Sequence, residues 1–498
     1  MLEALIQGLT LVLQWNAFSL MLVGMALGFV VGLLPGIGGA ATLALMLPFV
    51  FKMSPVEAFA FLLGMHSVAA TTGDITSILF GVPGEGLSAA TVVDGHPMAK
   101  QGEAARALGA ALMSSLVGAI IGAIALAISI PIVRPLVLTF GSPELFMVTV
   151  MGIACITSLS GMGTRAQMKG FAMGLLGLLF ATIGQERQSG VLRFDFGLIY
   201  LWEGLELIPV LVGVFAIPEI IDLAVRGTSI AGNAPAAKLG AGTWEGIKDT
   251  FRHFWLVVRC SIVGVFVGIL PGAGGGVAQW MAYAHAVQSA KGADDRARFG
   301  GGDVRGVLGP GAANNSKEGG DLIPTIAFGV PGSGAMAILL GAFLIMGLHP
   351  GPDMLTKHLA VTYSMVWTLV IANVITVIVC LATLPYLALI TRVRGSLIIP
   401  FLLLLVFIGS YTANRQLADL LVTIGFGALG YLMVRFGWPR APLVLGFVLG
   451  KLAETYLFIS MARYGYGWLA QPLVLVLIAL TVVVIVFPYI QERRTRAG

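Results

Sequence analysis

Charged residues are scarce in this chain: they make up 11% of its 498 residues, against 57% hydrophobic, and the mean hydropathy is +0.94. An average soluble domain carries roughly 25% charge. A soluble fold is excluded, and the chain reads as an all-α polytopic membrane protein, because helices satisfy their own backbone polar groups in lipid. Cysteine is nearly absent. Cys155, Cys260 and Cys380 stand singly in apolar segments, which supports neither a disulfide framework nor a structural metal site. HExxH, P-loop and CxxC motifs are missing, and Gly36-Ile37-Gly38-Gly39 opens no βαβ unit. Nucleotide binding therefore has nothing to carry it, and uphill transport would need an ion gradient. Only Glu3, with no Lys or Arg, precedes the first apolar run, so a cleaved signal peptide is not expected and the first helix is retained. No polar stretch exceeds the segment Arg226–Thr250, far short of the roughly 50–250 residues of a soluble domain.

What is present is one unusual phrase used twice. Gly32-Leu33-Leu34-Pro35-Gly36-Ile37-Gly38-Gly39 returns, 236 residues on, as Gly268-Ile269-Leu270-Pro271-Gly272-Ala273-Gly274-Gly275. Phe80-Gly81-Val82-Pro83-Gly84-Glu85-Gly86 returns after 248 as Phe328-Gly329-Val330-Pro331-Gly332-Ser333-Gly334. Proline and glycine interrupt helices, and lipid does not tolerate the unpaired backbone they leave. Four such breaks imply backbone lining a cavity inside the protein, and paired interrupted helices in two halves point to a transporter's binding site.

Apolar runs such as Phe18–Leu34, Leu108–Ile130, Val361–Leu381 and Leu417–Val434 approach or reach spanning length, giving roughly ten to twelve crossings plus re-entrant pieces. The organisation is a first transmembrane repeat (1–225), a polar linker (226–250) and a second repeat (251–498), with the later helices of each half as scaffold. Net charge is +5, and the basic excess lies in Arg226, Lys238, Lys248 and Arg252, in Lys291, Arg296, Arg298 and Arg305, and in Arg493, Arg494 and Arg496. The positive-inside rule makes these segments cytoplasmic, so the basic balance reports topology and calls for no nucleic-acid partner. Basic flanks around the second Pro-Gly-x-Gly-Gly element and none around the first favour inverted repeats, although the basic C-terminus argues for parallel ones.

Before each Val-Pro-Gly break lies a polar stretch, His66 to Ser77 in the first half and Ala312 to Thr325 in the second, and Gly73-Asp74 matches Gly320-Asp321. Hydroxyls and amides beside unwound glycines give hard oxygen ligands for a cation, while half-helix N-termini favour an anion. The candidate substrate and ion site thus comprises backbone at Gly36, Gly38, Gly39, Pro83, Gly84, Gly272, Gly274, Gly275, Pro331 and Gly332. Its side chains are Thr71, Thr72, Asp74, Thr76, Ser77, Asn314, Asn315, Asp321, Thr325 and Ser333. Asp74 and Asp321 are equally readable as helix N-caps. Lys317 and Glu318 either neutralise one another or leave Lys317 to hold a substrate carboxylate. Gly24, Gly28 and Gly32, at four-residue spacing, read as a packing row. His66 and Glu85 read as structural or interfacial, Val92 to Gly102 as a polar turn, and Glu144, Glu203 and Glu206 as membrane-edge residues.

At these residues the chain resembles the TctA family, the large membrane subunit of the tripartite tricarboxylate transporters. The likeness runs through Leu34–Gly39, Asp74–Leu79, Gly81–Gly84, Ala89–Ala99, Ala313–Asn315, Gly319–Thr325 and Gly329–Ser333, in order over both halves. The resemblance implies a secondary transporter of the bacterial inner membrane that works with a small TctB-like membrane subunit and a periplasmic TctC-like binding protein. It also implies import of citrate or other di- and tricarboxylates, coupled to sodium or protons, with no further cofactor. Ser316, Lys317 and Glu318 fall where the family pattern varies, so they are candidates for substrate specificity and Lys317 is not carried over as a ligand. The rival readings are an intramembrane enzyme using Asp74 and Asp321 as paired carboxylates and a channel-like facilitator.

Overall fold

The computed structural model describes residues 1–33, 38–81, 88–155, 164–186, 189–226, 242–271, 274–390 and 399–483. Gly36, Pro83, Gly84, Glu85, Gly272, most of the linker and the C-terminal arginines lie outside the described residues.

The helices before the stretch read as linker are α1 (Leu2–Leu13), α2 (Trp15–Gly32), α3 (Gly39–Met46), α4 (Pro55–Phe80), α5 (Ala89–Lys100), α6 (Ala104–Val137), α7 (Ser142–Cys155), α8 (Thr164–Ala181) and α9 (Leu207–Arg226). Then follow α10 (Thr243–Arg252), α11 (Phe254–Ile269), α12 (Gly274–Gln288), α13 (Ala293–Arg296), α14 (Arg305–Phe328), α15 (Gly334–Ile345), α16 (Leu359–Ile390), α17 (Ile399–Asn414), α18 (Leu417–Arg435) and α19 (Arg440–Tyr464). The end of the segment read as linker is thus already helical, in α10. Among the described residues, six helices are long and apolar enough to cross a membrane (α2, α6, α9, α16, α18 and α19), or seven if α10 and α11, bent by 79°, form one broken span. Shorter apolar helices, α1, α7, α15 and α17 among them, accompany these.

The repeated phrases have a local cause in the backbone. α4 begins with a capping box, in which the Ser54 N–H donates to Glu57 Oε2 at 2.8 Å with Pro55 in the first turn, and α4 ends on Gly81 at φ +68°. α14 ends on Gly329 at φ +67°. Both glycines are left-handed C-caps, a conformation that side chains resist, and the proline two residues later forbids continuation.

The two repeats interleave. α2 packs along α4 and α11 along α14, but α6 packs on α14 while α16 packs on α4; likewise α8 packs on α19 and α18 on α9. Gly24, Gly28 and Gly32 lie against Phe61, Met65 and Ala69, so a methyl on any of them would strike α4 backbone or the Thr72 hydroxyl. Gly264 and Gly268 press on Ala313, Ser316, Lys317 and Asp321 in the same way. The packing reading of the glycine row holds, because only a missing Cβ lets helices approach this closely. In both pairs the residue numbers rise together, so α2 runs parallel to α4 and α11 to α14. The chain between α2 and α4, and between α11 and α14, must therefore double back; the Leu-Pro-Gly elements lie at least partly outside the described residues. α4 and α14 themselves run antiparallel, since Ser67 meets Glu318, Thr71 meets Asn315 and Asp74 meets Asn314. Matching helices that run in opposite directions make the repeats inverted.

Candidate functional site

α4 and α14 carry the polar residues that a lipid-facing helix could not. Every described residue of α4 from Ala58 to Ile78, and of α14 from Gly306 to Ala327, is buried. The surrounding helices α2, α6, α11, α12 and α16 shield them. Here the structure corrects the sequence reading: the polar stretches are continuous helix, not unwound backbone. Thr72, Thr76, Ser77 and Thr325 donate to carbonyls of their own helix, which absorbs their protons while leaving oxygen lone pairs. Asp74 and Asp321 lie well inside their helices and are not N-caps.

The two helices meet through a ladder of polar contacts. Asn314 Nδ2 donates to the Ala70 carbonyl at 2.9 Å and to Asp74 Oδ2 at 3.2 Å. Asn315 Nδ2 donates to Thr71 Oγ1 at 2.7 Å and also to Asn373 Oδ1 of α16. Ser67 Oγ donates to Glu318 Oε2 at 2.8 Å, and His66 Nε2 lies 3.8 Å from Glu318 Oε1. The Lys317 ammonium stands 4.0 Å from Asp321 Oδ2, both side chains being at most 1% exposed. The i,i+4 spacing places Lys317 over Asp321, and Glu318 faces α4 instead. Ser316 is buried in the α11–α14 contact.

The matching aspartates sit in matching corners. After α4 ends, the chain returns so that Ser88 lies beside Gly73 and Ser77, and Thr91 Oγ1 of α5 donates to Asp74 Oδ1 at 2.9 Å. After α14 ends, Gly332 comes to rest against the Gly268 carbonyl and the Asp321 carboxylate. Ser333 faces that carboxylate and caps α15 by accepting the Met336 N–H. The turn at Gly332 therefore lies beside both Asp321 and the Gly268 carbonyl near the end of α11. The N-termini of α3 at Gly39 and of α12 at Gly274 follow their Leu-Pro-Gly elements, and among the described residues a Cβ at Gly38 would meet no atom within 4 Å. The aspartates themselves are not a pair. Asp74 touches Asn314, which lies about two turns, or ~10 Å at ~1.5 Å per residue, from Asp321 along α14. The paired-carboxylate arrangement fails on this separation.

The inner end is locked by a residue that reads from sequence as part of a turn. Val92 to Lys100 is helical, and Asp94 is fully buried. Its Oδ1 accepts the N–H groups of Gly300, Gly302 and Asp303 at 2.8, 2.8 and 2.9 Å, and its Oδ2 accepts the Tyr283 hydroxyl at 3.0 Å. The signal was an acidic residue in an otherwise small and apolar segment, but its partners lie 200 residues away in sequence. In that loop Arg305 donates to both Asp295 oxygens, at 3.0 and 2.6 Å. This holds the Asp295 carboxyl well below the usual carboxylate range. Arg106, Lys248, Arg252 and Arg305 gather at this end, which the positive-inside rule makes cytoplasmic. At the other end a cavity of about 630 Å³ opens between α9, α15, α17 and α19, lined by Glu206, His349, Asn414, Lys451 and Tyr456.

Inverted repeats, interrupted helices at matching places and a polar crossing sealed from lipid define a membrane transporter of the inverted-repeat class. The chain belongs to the Tripartite tricarboxylate transporter TctA family, which it matches over residues 18–445. It is 34% identical, over 95% of its own length and 94% of the relative's, to an Agrobacterium vitis protein described as "Uncharacterized 52.8 kDa protein in TAR-I ttuC' 3'region". A second Agrobacterium vitis protein, "Uncharacterized protein in TAR-II ttuC' 3'region", is 34% identical over 39% of this chain and 79% of its own length. No solved structure matches the chain. The protein is thus a multi-pass subunit of a tricarboxylate-type transporter.

Proposed function

We propose that this subunit forms the transport path of an importer of citrate-like tricarboxylates or dicarboxylates in the bacterial inner membrane, driven by a sodium or proton gradient. The observation that carries the reading is the Asp321 carboxylate. It is fully buried, stands 4.0 Å from the Lys317 ammonium, and lies beside the Ser333 hydroxyl, the turn at Gly332 and the Gly268 carbonyl. A buried carboxylate so placed needs a cation. In this reading a coupling cation binds Asp321 with the Gly268 carbonyl and the Ser333 hydroxyl, and the Lys317 ammonium it displaces turns to a substrate carboxylate. The exchange makes cation and substrate binding mutually dependent, which coupled transport requires. Thr71, Asp74, Asn314 and Asn315 line the path between the two ends, and the N-termini of α3 and α12 present N–H groups to an anion.

The periplasmic partner is a TctC-like binding protein, which delivers substrate to the end carrying the 630 Å³ cavity, and a TctB-like small subunit completes the membrane complex. The test is citrate and succinate uptake by proteoliposomes holding the chain and its membrane partner, with and without a sodium gradient and the binding protein. Accumulation that needs the gradient, and needs the binding protein at low substrate, supports the proposal. Equilibration alone marks a facilitator and conversion an enzyme. Asp321→Asn should abolish the sodium stimulation.

A further inference from the structure

Between the two aspartate corners, where α4 crosses α14, lies a group of ionisable side chains that the cation and substrate reading leaves unused. His66 is 2% exposed, and neither of its ring nitrogens has a hydrogen-bond partner. Its Nε2 faces Glu318 Oε1 at 3.8 Å, and Glu318 is 1% exposed and receives the Ser67 hydroxyl on its other oxygen. A buried imidazole without partners and a buried carboxylate are each unfavourable alone, and one proton placed between them relieves both.

The charges in the same enclosure bear on that proton in both senses, the carboxylates drawing it and the Lys317 ammonium opposing it. Among the described buried residues of the facing helices, Asp74, Glu318 and Asp321 carry carboxylates and Lys317 carries an ammonium, 4.0 Å from Asp321 Oδ2. Asp74 accepts from Thr91 and Asn314. From α16 the neighbouring polar group is Asn373, which is neutral, and α2, which packs along α4, contributes no charged residue at all. An anionic substrate entering this space adds more negative charge and raises the proton affinity of the remaining carboxylate.

We propose that His66 and Glu318 together form a proton-binding site bridging the two repeats, which takes up one proton when an anionic substrate binds and gives it up when the substrate leaves. The proton comes from water on the side open to substrate and goes to the His66–Glu318 pair; no bond other than those to hydrogen is made or broken. The site deepens the transporter reading by naming where a proton is held, and it is separate from the cation corner at Asp321. Ser67 holds the Glu318 carboxylate towards His66 and acts as a positioning residue.

The test uses purified full-length protein in lipid nanodiscs at mildly alkaline pH, where succinate is fully ionised. Succinate addition in weakly buffered solution with a pH indicator should take up about one proton per substrate bound. Infrared difference spectra should show a protonated-carboxyl band that titrates in the wild type, is missing in Glu318→Gln and titrates at a different pH in His66→Gln. Should the variants fold poorly, the wild-type proton count still decides: succinate that binds without moving a proton overturns the proposal, as does an unchanged band in Glu318→Gln. Absence of any carboxylate uptake by the wild-type complex would instead refute the transporter reading itself.

Discussion

Asn314 of the second repeat donates its side-chain N–H to Asp74 of the first, Nδ2 to Oδ2 at 3.2 Å, and to the Ala70 carbonyl at 2.9 Å. One amide thus ties the inner aspartate corner to the opposing helix. Asn314→Leu would leave two buried acceptors short of a donor, at a cost of about 1–3 kcal/mol for each. Transport should be lost and the detergent-solubilised protein should melt at lower temperature. A melting temperature and uptake rate equal to wild type would show that the tie is dispensable.

Asn315 joins three helices, through Thr71 on α4 and Asn373 on α16. Asn315→Leu should weaken sodium dependence or substrate affinity before it lowers expression, because the neighbouring hydroxyl and amide can still bond elsewhere. Sodium and substrate titrations that superimpose on wild type would remove Asn315 from the path.

The glycines separate packing from access. Gly28→Leu should destabilise the fold by at least about 1–3 kcal/mol, since the new side chain meets the Met65 backbone of α4 and a close-packed seam cannot expand to admit it. Among the described residues a Cβ at Gly38 meets no atom within 4 Å, so Gly38→Ala should fold as wild type, and Gly38→Leu should block uptake while the protein still reaches the membrane. Thermal melts and uptake on the three variants check this, and full uptake by Gly38→Leu would count against a ligand passing there.

Release of the inner lock should be graded. Asp94→Asn keeps an oxygen that can accept from Gly300, Gly302 and Asp303, whereas Asp94→Ala leaves those N–H groups unanswered. Because Thr91 sits one turn earlier on the same helix and bonds Asp74, freeing α5 should open the inner corner. A cysteine at Thr91 should then react faster with an impermeant thiol reagent from the cytoplasmic side in Asp94→Ala than in Asp94→Asn. Equal reactivity in both would mean that α5 is not held by this contact.

The loop's acid tolerance follows from the Arg305–Asp295 pair. The folded Asp295 pKa lies below its unfolded value, so the stabilisation is fully present above the usual carboxylate range near pH ~4 and is lost only as pH falls through the lower folded value. Hydrogen exchange across residues 291–305 should stay slow as the pH passes through that range. Protection that fades there would contradict the pairing.

Much of this protein was legible in the chain itself. Scarcity of charge determined the membrane class, and the twice-used Leu-Pro-Gly and Val-Pro-Gly phrases marked the helix interruptions, because proline and left-handed glycine act within a few residues of sequence. The match of Gly73-Asp74 to Gly320-Asp321 also followed from repetition, and so did the family. Tertiary structure decided what these residues do to one another. Polar stretches that look like unwound backbone are helical, since enclosure by other helices removes the lipid they could not have faced. Lys317 pairs with Asp321, because helical periodicity places residues four apart on one side, while antiparallel crossing turns Glu318 towards His66 and Ser67. Asp94 became a lock only when a loop some 200 residues distant closed over it, and no local pattern encodes a contact of that range.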